Sequence, residues 1–148
     1  MNFGFFVLTL LFTLLAVVNT SPAYPFNKFI QCPKDNLGPI YPIEVTMSPS
    51  IPAGGENVFT ISGNFSLENV AFNMIFKNPK TNHSNEFSLT CEEVKGCTPT
   101  NHSFKLPINF YLHAPDILSG PYVLSVYIIQ FSPLQILGCV YANMVIHT

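Results

Sequence analysis

Apolar and polar side chains alternate with a period of two along most of this chain, and that period belongs to strands rather than helices. Ile43 to Ser48 alternates as a first strand. Asn57 to Phe65 reads as a second, with Phe59, Ile61 and Phe65 on one face and Val58, Thr60, Ser62 and Asn64 on the other. Asn69 to Lys77 reads as a third, in which Val70, Phe72, Met74 and Phe76 oppose Ala71, Asn73, Ile75 and Lys77. Glu86 to Glu93 is a fourth, with Phe87, Leu89 and Cys91 on one side. The cleanest alternation runs from Ser103 to Leu112: Phe104, Leu106, Ile108, Phe110 and Leu112 point one way, and Lys105, Pro107, Asn109 and Tyr111 the other. Pro107 cannot donate a ladder hydrogen bond, so this strand is expected at an edge or with a bulge. Tyr122 to Phe131 is apolar on both faces and predicts a central strand covered on each side. Ile136 to Ile146 is the last strand.

The segments between these runs are turn-formers. Pro49 to Gly55 is rich in Pro and Gly, and Asn78 to Asn85 is polar and holds Pro79, so it reads as a loop. In all, 13 Pro and 8 Gly punctuate the chain. Beyond the N-terminus no segment has a 3.6-residue apolar period, and almost no helix is expected. Short strands with regular turn signals predict an all-β sandwich or barrel. No repeat or linker divides the chain, so residues 21–148 are expected to form one domain.

The first 20 residues differ from the rest. Phe5 to Val18 is mostly apolar and carries no charge. It is shorter than the roughly 20 residues of a typical membrane span and has the form of a signal-peptide core. Residues 1–20 are therefore expected to be a signal peptide, which places the protein outside the cell or in the lumen of the endomembrane system, lysosome or vacuole included.

Charge is scarce: six Lys, no Arg and eight acids make 9% of the chain and a net charge of -2. Nucleic-acid binding wants a basic footprint that this chain lacks. Nor is there a polybasic run for anionic membranes. Three sequons, at Asn64, Asn82 and Asn101, would supply bulky, solubilising glycans in an exported chain.

Four cysteines follow the signal segment: Cys32, Cys91, Cys97 and Cys139. An even number in an exported chain reads as a disulfide framework. Three pairings are open. The favoured one joins Cys91 to Cys97, closing a short loop where Gly96 eases the turn, and Cys32 to Cys139, stapling the N-terminal segment to the last strand.

No catalytic signature emerges. Of the four histidines, His83 and His102 lie inside sequons and His147 is penultimate. None forms a metal-binding pair at helical spacing, and no serine sits in a nucleophile elbow. His113 and Asp116 read as part of an Asx turn beside Pro115. The two thiols and two carboxylates of Cys91 to Cys97 do not have zinc spacing. The protein is expected to be no enzyme, to hold no metal and to need no cofactor.

What remains is an excess of large apolar side chains, with 14 Phe, 6 Tyr and no Trp. One inward face is expected to hold Phe59, Ile61, Val70, Phe72, Met74, Phe76, Phe87, Leu89, Phe104, Leu106, Ile108 and Phe110. Such a face makes either a packed sandwich core or the wall of an apolar pocket between two sheets, and periodicity does not separate the two.

From Cys32-Pro33 to Ile146 the chain resembles the ML (lipid-recognition) family, which includes the Niemann–Pick type C sterol carrier, group two mite allergens and phosphatidylglycerol/phosphatidylinositol transfer proteins. Ile43-Glu44-Val45 with Pro52-Ala53-Gly54-Gly55 resembles the first strand and turn, and Phe59-Thr60-Ile61-Ser62-Gly63 the strand that follows. Cys91-Glu92-Glu93-Val94 to Cys97-Thr98-Pro99 resembles the short disulfide loop. Tyr111 to Val126, with Pro121-Tyr122, and Leu137-Gly138-Cys139 resemble the closing strands, most of all those of the phospholipid transfer members. A further short disulfide near the N-terminus of the sterol carriers has no cysteines here, which weighs against a sterol. The resemblance implies a two-sheet immunoglobulin-like sandwich with an apolar cavity between the sheets. It implies a monomeric carrier of a phospholipid, sterol or fatty acid that touches membranes transiently, and it gives the twelve inward residues the role of lipid contacts. Lys95, Lys105 and Tyr122 are candidates to meet the head group. The rival reading is an exported sandwich with a solid core that binds a protein or glycan through its surface.

Overall fold

The computed structural model describes residues 28–34, 38–50, 52–100, 102–112 and 119–146. The expected signal peptide, Asn101, His113 and Asp116 lie outside these residues. The alternating runs all form strands. In chain order they are β1 (Ile30–Gln31), β2 (Ile43–Ser48), β3 (Gly55–Gly63), β4 (Val70–Lys77), β5 (Ser84–Thr90), β6 (Phe104–Leu112), β7 (Gly120–Phe131) and β8 (Leu134–Ile146). They make two antiparallel sheets, one ordered β1-β8-β7-β4-β5 and the other β2-β3-β6. The fold is an all-β sandwich.

Period-two patterning decides which face each sheet buries. In β6, Phe104, Leu106, Ile108, Phe110 and Leu112 are buried while every residue between them is exposed. β6 is an edge strand, the position that Pro107 favours. Both disulfides are the favoured pairs, Cys32–Cys139 and Cys91–Cys97.

Several element limits differ from the pattern. β3 ends at Gly63 rather than Phe65. A Cβ at Gly63 would lie 2.7 Å from the Phe104 ring and 2.9 Å from the Phe65 ring, so those rings fit there only because residue 63 has no side chain. β5 begins at Ser84, inside the segment read as a loop, and stops at Thr90 rather than Glu93. It stops because a Glu93 carboxylate oxygen accepts hydrogen bonds from the Thr90 backbone N–H (2.7 Å) and hydroxyl (2.9 Å), while the Glu93 N–H bonds back to the Thr90 carbonyl. β7 is central, between β8 and β4. Its cover is one-sided: Tyr122, Leu124, Val126 and Ile128 are buried, and Val123, Ser125, Tyr127 and Ile129 are half-buried. The two-residue β1 has no alternation to betray it.

β8 carries a bulge. Ile128 pairs with Gly138 but Ile129 pairs with Ile136, which leaves Leu137 without a partner in the register. The extra residue turns Leu137 into the core beside the regular inward set of Val140, Ala142, Met144 and Ile146.

Candidate functional site

The twelve residues expected on the inward face do converge. Ten are buried in a single core cluster, and Phe87 and Leu89 are packed against it partly exposed. Ile43 and Val45 of β2, Leu124, Val126 and Ile128 of β7, and Val140, Ala142, Met144 and Ile146 of β8 are among the other members of the cluster. The β7 and β8 members could not be picked from the sequence, because those strands are apolar on both faces.

Aromatic rings from both sheets meet between them. Phe59 and Phe110 stack at 4.5 Å. Phe76 meets Phe110 at 5.7 Å and Phe87 edge-on at 5.8 Å, and Phe87 meets Phe110 at 5.9 Å. Phe29 touches Phe59 edge-on at 6.4 Å. Offset and edge-to-face pairs of this kind are the favoured geometries of aromatic packing.

The two flanks of the sandwich are closed by different means. On one flank β1 and β2 face each other. There the Cys32–Cys139 bridge ties the N-terminal segment to β8. The Gln31 side-chain amide also donates to the Ile43 carbonyl at 2.6 Å, joining the two sheets. A cavity of about 410 Å³ lies along this flank, lined by Phe29, Gln31, Val45 and Met47 among others. On the other flank β5 and β6 are the unpaired edges of their sheets. A smaller cavity of about 280 Å³ opens between them, lined by Leu89, Glu93, Val94, Lys95, Pro107, Ile108 and Asn109. Ile108, only 2% exposed, forms its inner wall and belongs to the core.

The three head-group candidates are placed apart by the fold. Lys95 is exposed and lines the β5–β6 cavity. Lys105 is exposed on the outer face of β6, and Tyr122 is buried in the core. The Thr90 N–H and hydroxyl hold the Glu93 carboxyl below the ordinary carboxylate range. Asn109 donates to Glu56 at 3.3 Å.

Sequence patterning missed Asn57. It is completely buried and clamps the β2–β3 loop. Its amide donates to the Ala53 carbonyl at 2.9 Å and the Gly55 carbonyl at 3.0 Å, and its carbonyl accepts from the Ala53 N–H at 3.2 Å. Its inward phase with Phe59 and Ile61 was the available signal. Among the described residues no group of three His, Cys, Asp or Glu could hold a metal ion. Asn64 and Asn82 are exposed.

No family model matches the sequence, and neither does any curated protein. Among solved structures the chain is similar to a Niemann-Pick type C2 protein from Japanese carpenter ant, with a TM-score of 0.59 at 12% identity, over 80% of this chain and 98% of that one. At that identity the likeness is one of fold. The chain has the sandwich fold of that protein.

Proposed function

We propose that the protein is an exported, non-enzymatic lipid carrier that holds the apolar tail of its cargo between the two sheets. The single observation that carries this reading is the shared fold with a Niemann-Pick type C2 protein, together with an interior built from large apolar side chains. The cargo would be a phospholipid, sterol or fatty acid, and the twelve inward residues would be its contacts. Burial of a saturated tail yields about 0.8 kcal/mol per CH₂, offset by the costs of ordering and association. The rings of Phe59, Phe76, Phe87 and Phe110, which meet one another between the sheets, would be among its contacts. The two disulfides fit an oxidising compartment, lysosomal, vacuolar or extracellular. Removal of residues 1–20 and glycans on Asn64, Asn82 and Asn101 belong to the same reading, as do a monomeric state, transient membrane contact and the absence of nucleic-acid partners.

A second reading, surface binding of a protein or glycan, has one observation in its favour. The tip of the β7–β8 hairpin exposes Phe131 (59%) and Leu134 (78%) to solvent. Native mass spectrometry of the glycoprotein from a eukaryotic secretion host, followed by lipid extraction, separates the two. A bound mass that extracts as a lipid supports the carrier. An empty protein that takes up no labelled lipid from vesicles refutes it in favour of surface binding.

A further inference from the structure

Among the described residues five large apolar side chains are exposed: Ile40, Tyr41, Tyr111, Phe131 and Leu134. Four of them stand at one end of the sandwich. Phe131 and Leu134 are the last register pair of the β7–β8 hairpin, with Ser132-Pro133 as its turn. Residues directly opposite each other in a ladder share a face, so the two side chains stand together. Ile40 and Tyr41 donate their backbone N–H groups to the carbonyls of Ile136 and Leu137, at 3.2 and 2.7 Å. Those carbonyls lie within about 10 Å of Leu134 along β8 at the usual strand rise. Tyr111 alone is elsewhere, paired with Glu56 toward the far end of β3.

This end is braced and uncharged. The Phe131 N–H donates to the Asn69 carbonyl at 3.0 Å. The Gln135 side-chain amide donates to the Gln130 carbonyl oxygen, and the Gln130 amide donates to the Glu68 backbone carbonyl at 3.3 Å. These bonds fix the hairpin tip to the loop between β3 and β4, and the Tyr41 ring stacks on Phe65 of the same loop at 4.9 Å. The two segments that carry the exposed groups, Gly38 to Pro42 and Gln130 to Gly138, contain no Asp, Glu, Lys or Arg. The charged residue that lines a cavity together with Phe131 is an acid, Glu92.

Size and chemistry select the partner. The four side chains expose roughly 400 Å², the scale of the largest apolar patch on a monomer, which is often functional. That is half of the roughly 800 Å² that each partner gives to a stable protein–protein interface. A few apolar groups beside the uncharged Gln130, Gln135 and Ser132 suit a shallow, reversible insertion instead, in which binding follows the apolar area buried. With no basic residue on either segment, anionic lipids add nothing to it. We propose that this end of the sandwich, led by Phe131 and Leu134, is the surface that docks on the lipid–water interface of a zwitterionic bilayer. The inference rests on the carrier reading, which calls for transient membrane contact and assigns it no surface.

The absence of tryptophan makes the test direct. Phe131→Trp and Tyr111→Trp each place a lone fluorophore, one at either end. Both are titrated with phosphatidylcholine vesicles whose acyl chains carry bromine. The emission of Phe131→Trp should shift to the blue and be quenched, and that of Tyr111→Trp should not change. In the otherwise unaltered protein, Phe131→Ser with Leu134→Ser should lower partition onto these vesicles by about tenfold or more, the scale of one such side chain removed from water. Cargo bound in native mass spectrometry should be unchanged, because neither residue belongs to the core cluster. Partition should be indifferent to NaCl from about 0.05 to 0.5 M and to replacement of about a third of the lipid by phosphatidylserine. Quenching of Tyr111→Trp in place of Phe131→Trp, equal partition of the double variant and its parent, or a phosphatidylserine enhancement abolished by salt overturns the inference and leaves the carrier intact. A parent that carries extractable lipid but does not partition onto vesicles also overturns it, and gives the tip to a protein partner. A parent that partitions through the tip but holds no lipid keeps the docking surface and removes the carrier reading.

Discussion

Gly138 of β8 and Ile43 of β2 stand face to face across the sandwich with no room for a methyl group between them. A Cβ at Gly138 would lie 2.5 Å from Ile43 Cγ2 and 3.3 Å from two further atoms of that side chain. β8 of one sheet and β2 of the other therefore come into close contact here, on the flank where Gln31 also reaches the Ile43 carbonyl. Gly138→Ala should therefore destabilise the protein by about 1–3 kcal/mol, the cost of overpacking a filled core. Chemical denaturation measures it, and in the background of Ile43→Ala, which removes the crowding Cγ2, the same substitution should cost less. A double-mutant cycle with additive costs would show that the contact does not matter.

Asn57 is a polar side chain wholly inside an apolar core, and its three hydrogen bonds all go to the backbone of the β2–β3 loop. Asn57→Ala leaves those loop groups unpaired. A cost of about 1–3 kcal/mol is expected for each group that stays buried and unsatisfied. Hydrogen exchange at Ala53 should quicken more than exchange at the β7–β8 pairing. Equal acceleration at both would mean that the loop is not the part Asn57 holds.

The Glu93–Thr90 pairing makes the disulfide loop sensitive to acid. The Thr90 backbone N–H, then its hydroxyl, lower the Glu93 pKa from an ordinary value of 4.5, against a smaller opposing effect of desolvation. A depressed carboxyl contributes stability that is complete above its unfolded value and is lost as pH falls through the folded one. Protection of the Thr90 amide should hold above about pH 4.5 and decline below it. Glu93→Gln should flatten that decline. A profile unchanged by the substitution would show that another group is titrating.

Phe72 and Phe87 share an inward face but not an environment. Phe72 is fully buried on β4, between β7 and β5, whereas Phe87 is partly exposed on edge strand β5. Phe72→Ala should cost about 3–5 kcal/mol in urea denaturation, the usual range for a buried Phe. Phe87→Ala should cost clearly less. Equal costs would mean that the β5–β6 seam is packed as tightly as the centre.

The strands and their inward faces were legible because period two survives wherever one face is solvated, as in β6, with its strict alternation of buried and exposed positions. Both disulfides are the pairs favoured among the three that the sequence leaves open. Legibility ended where a tertiary contact outweighs local pattern. β3 ends at Gly63, where the Phe65 and Phe104 rings occupy the space a side chain would take. Thr90 stops β5 because Glu93, three residues on, reaches back to its N–H, a Thr-x-x-Glu signal that was there to be read. The bulge at Leu137 and the choice of inner face on β7 and β8 depend on which neighbour each strand acquires, and strands apolar on both sides carry no record of it. At the candidate site, the inward residues were legible as a set. Their division into a sealed centre and a partly open β5 edge was not, because edge position is a property of the sheet order.

The order β1-β8-β7-β4-β5 has a consequence for the birth of the molecule. The middle of the larger sheet is made by its two latest strands, β7 and β8, and β8 begins at Leu134, after every other strand. Until those strands leave the ribosome, β4 has β5 alone beside it, and the inner faces of β2, β3 and β6 meet only that two-stranded part of the opposing sheet. Cys32 likewise waits for Cys139, 107 positions later. The sandwich is thus synthesised with much of its apolar surface uncovered and closes only after β7 and β8 have emerged. Its yield in a cell will depend on how well the compartment shelters that unfinished sheet.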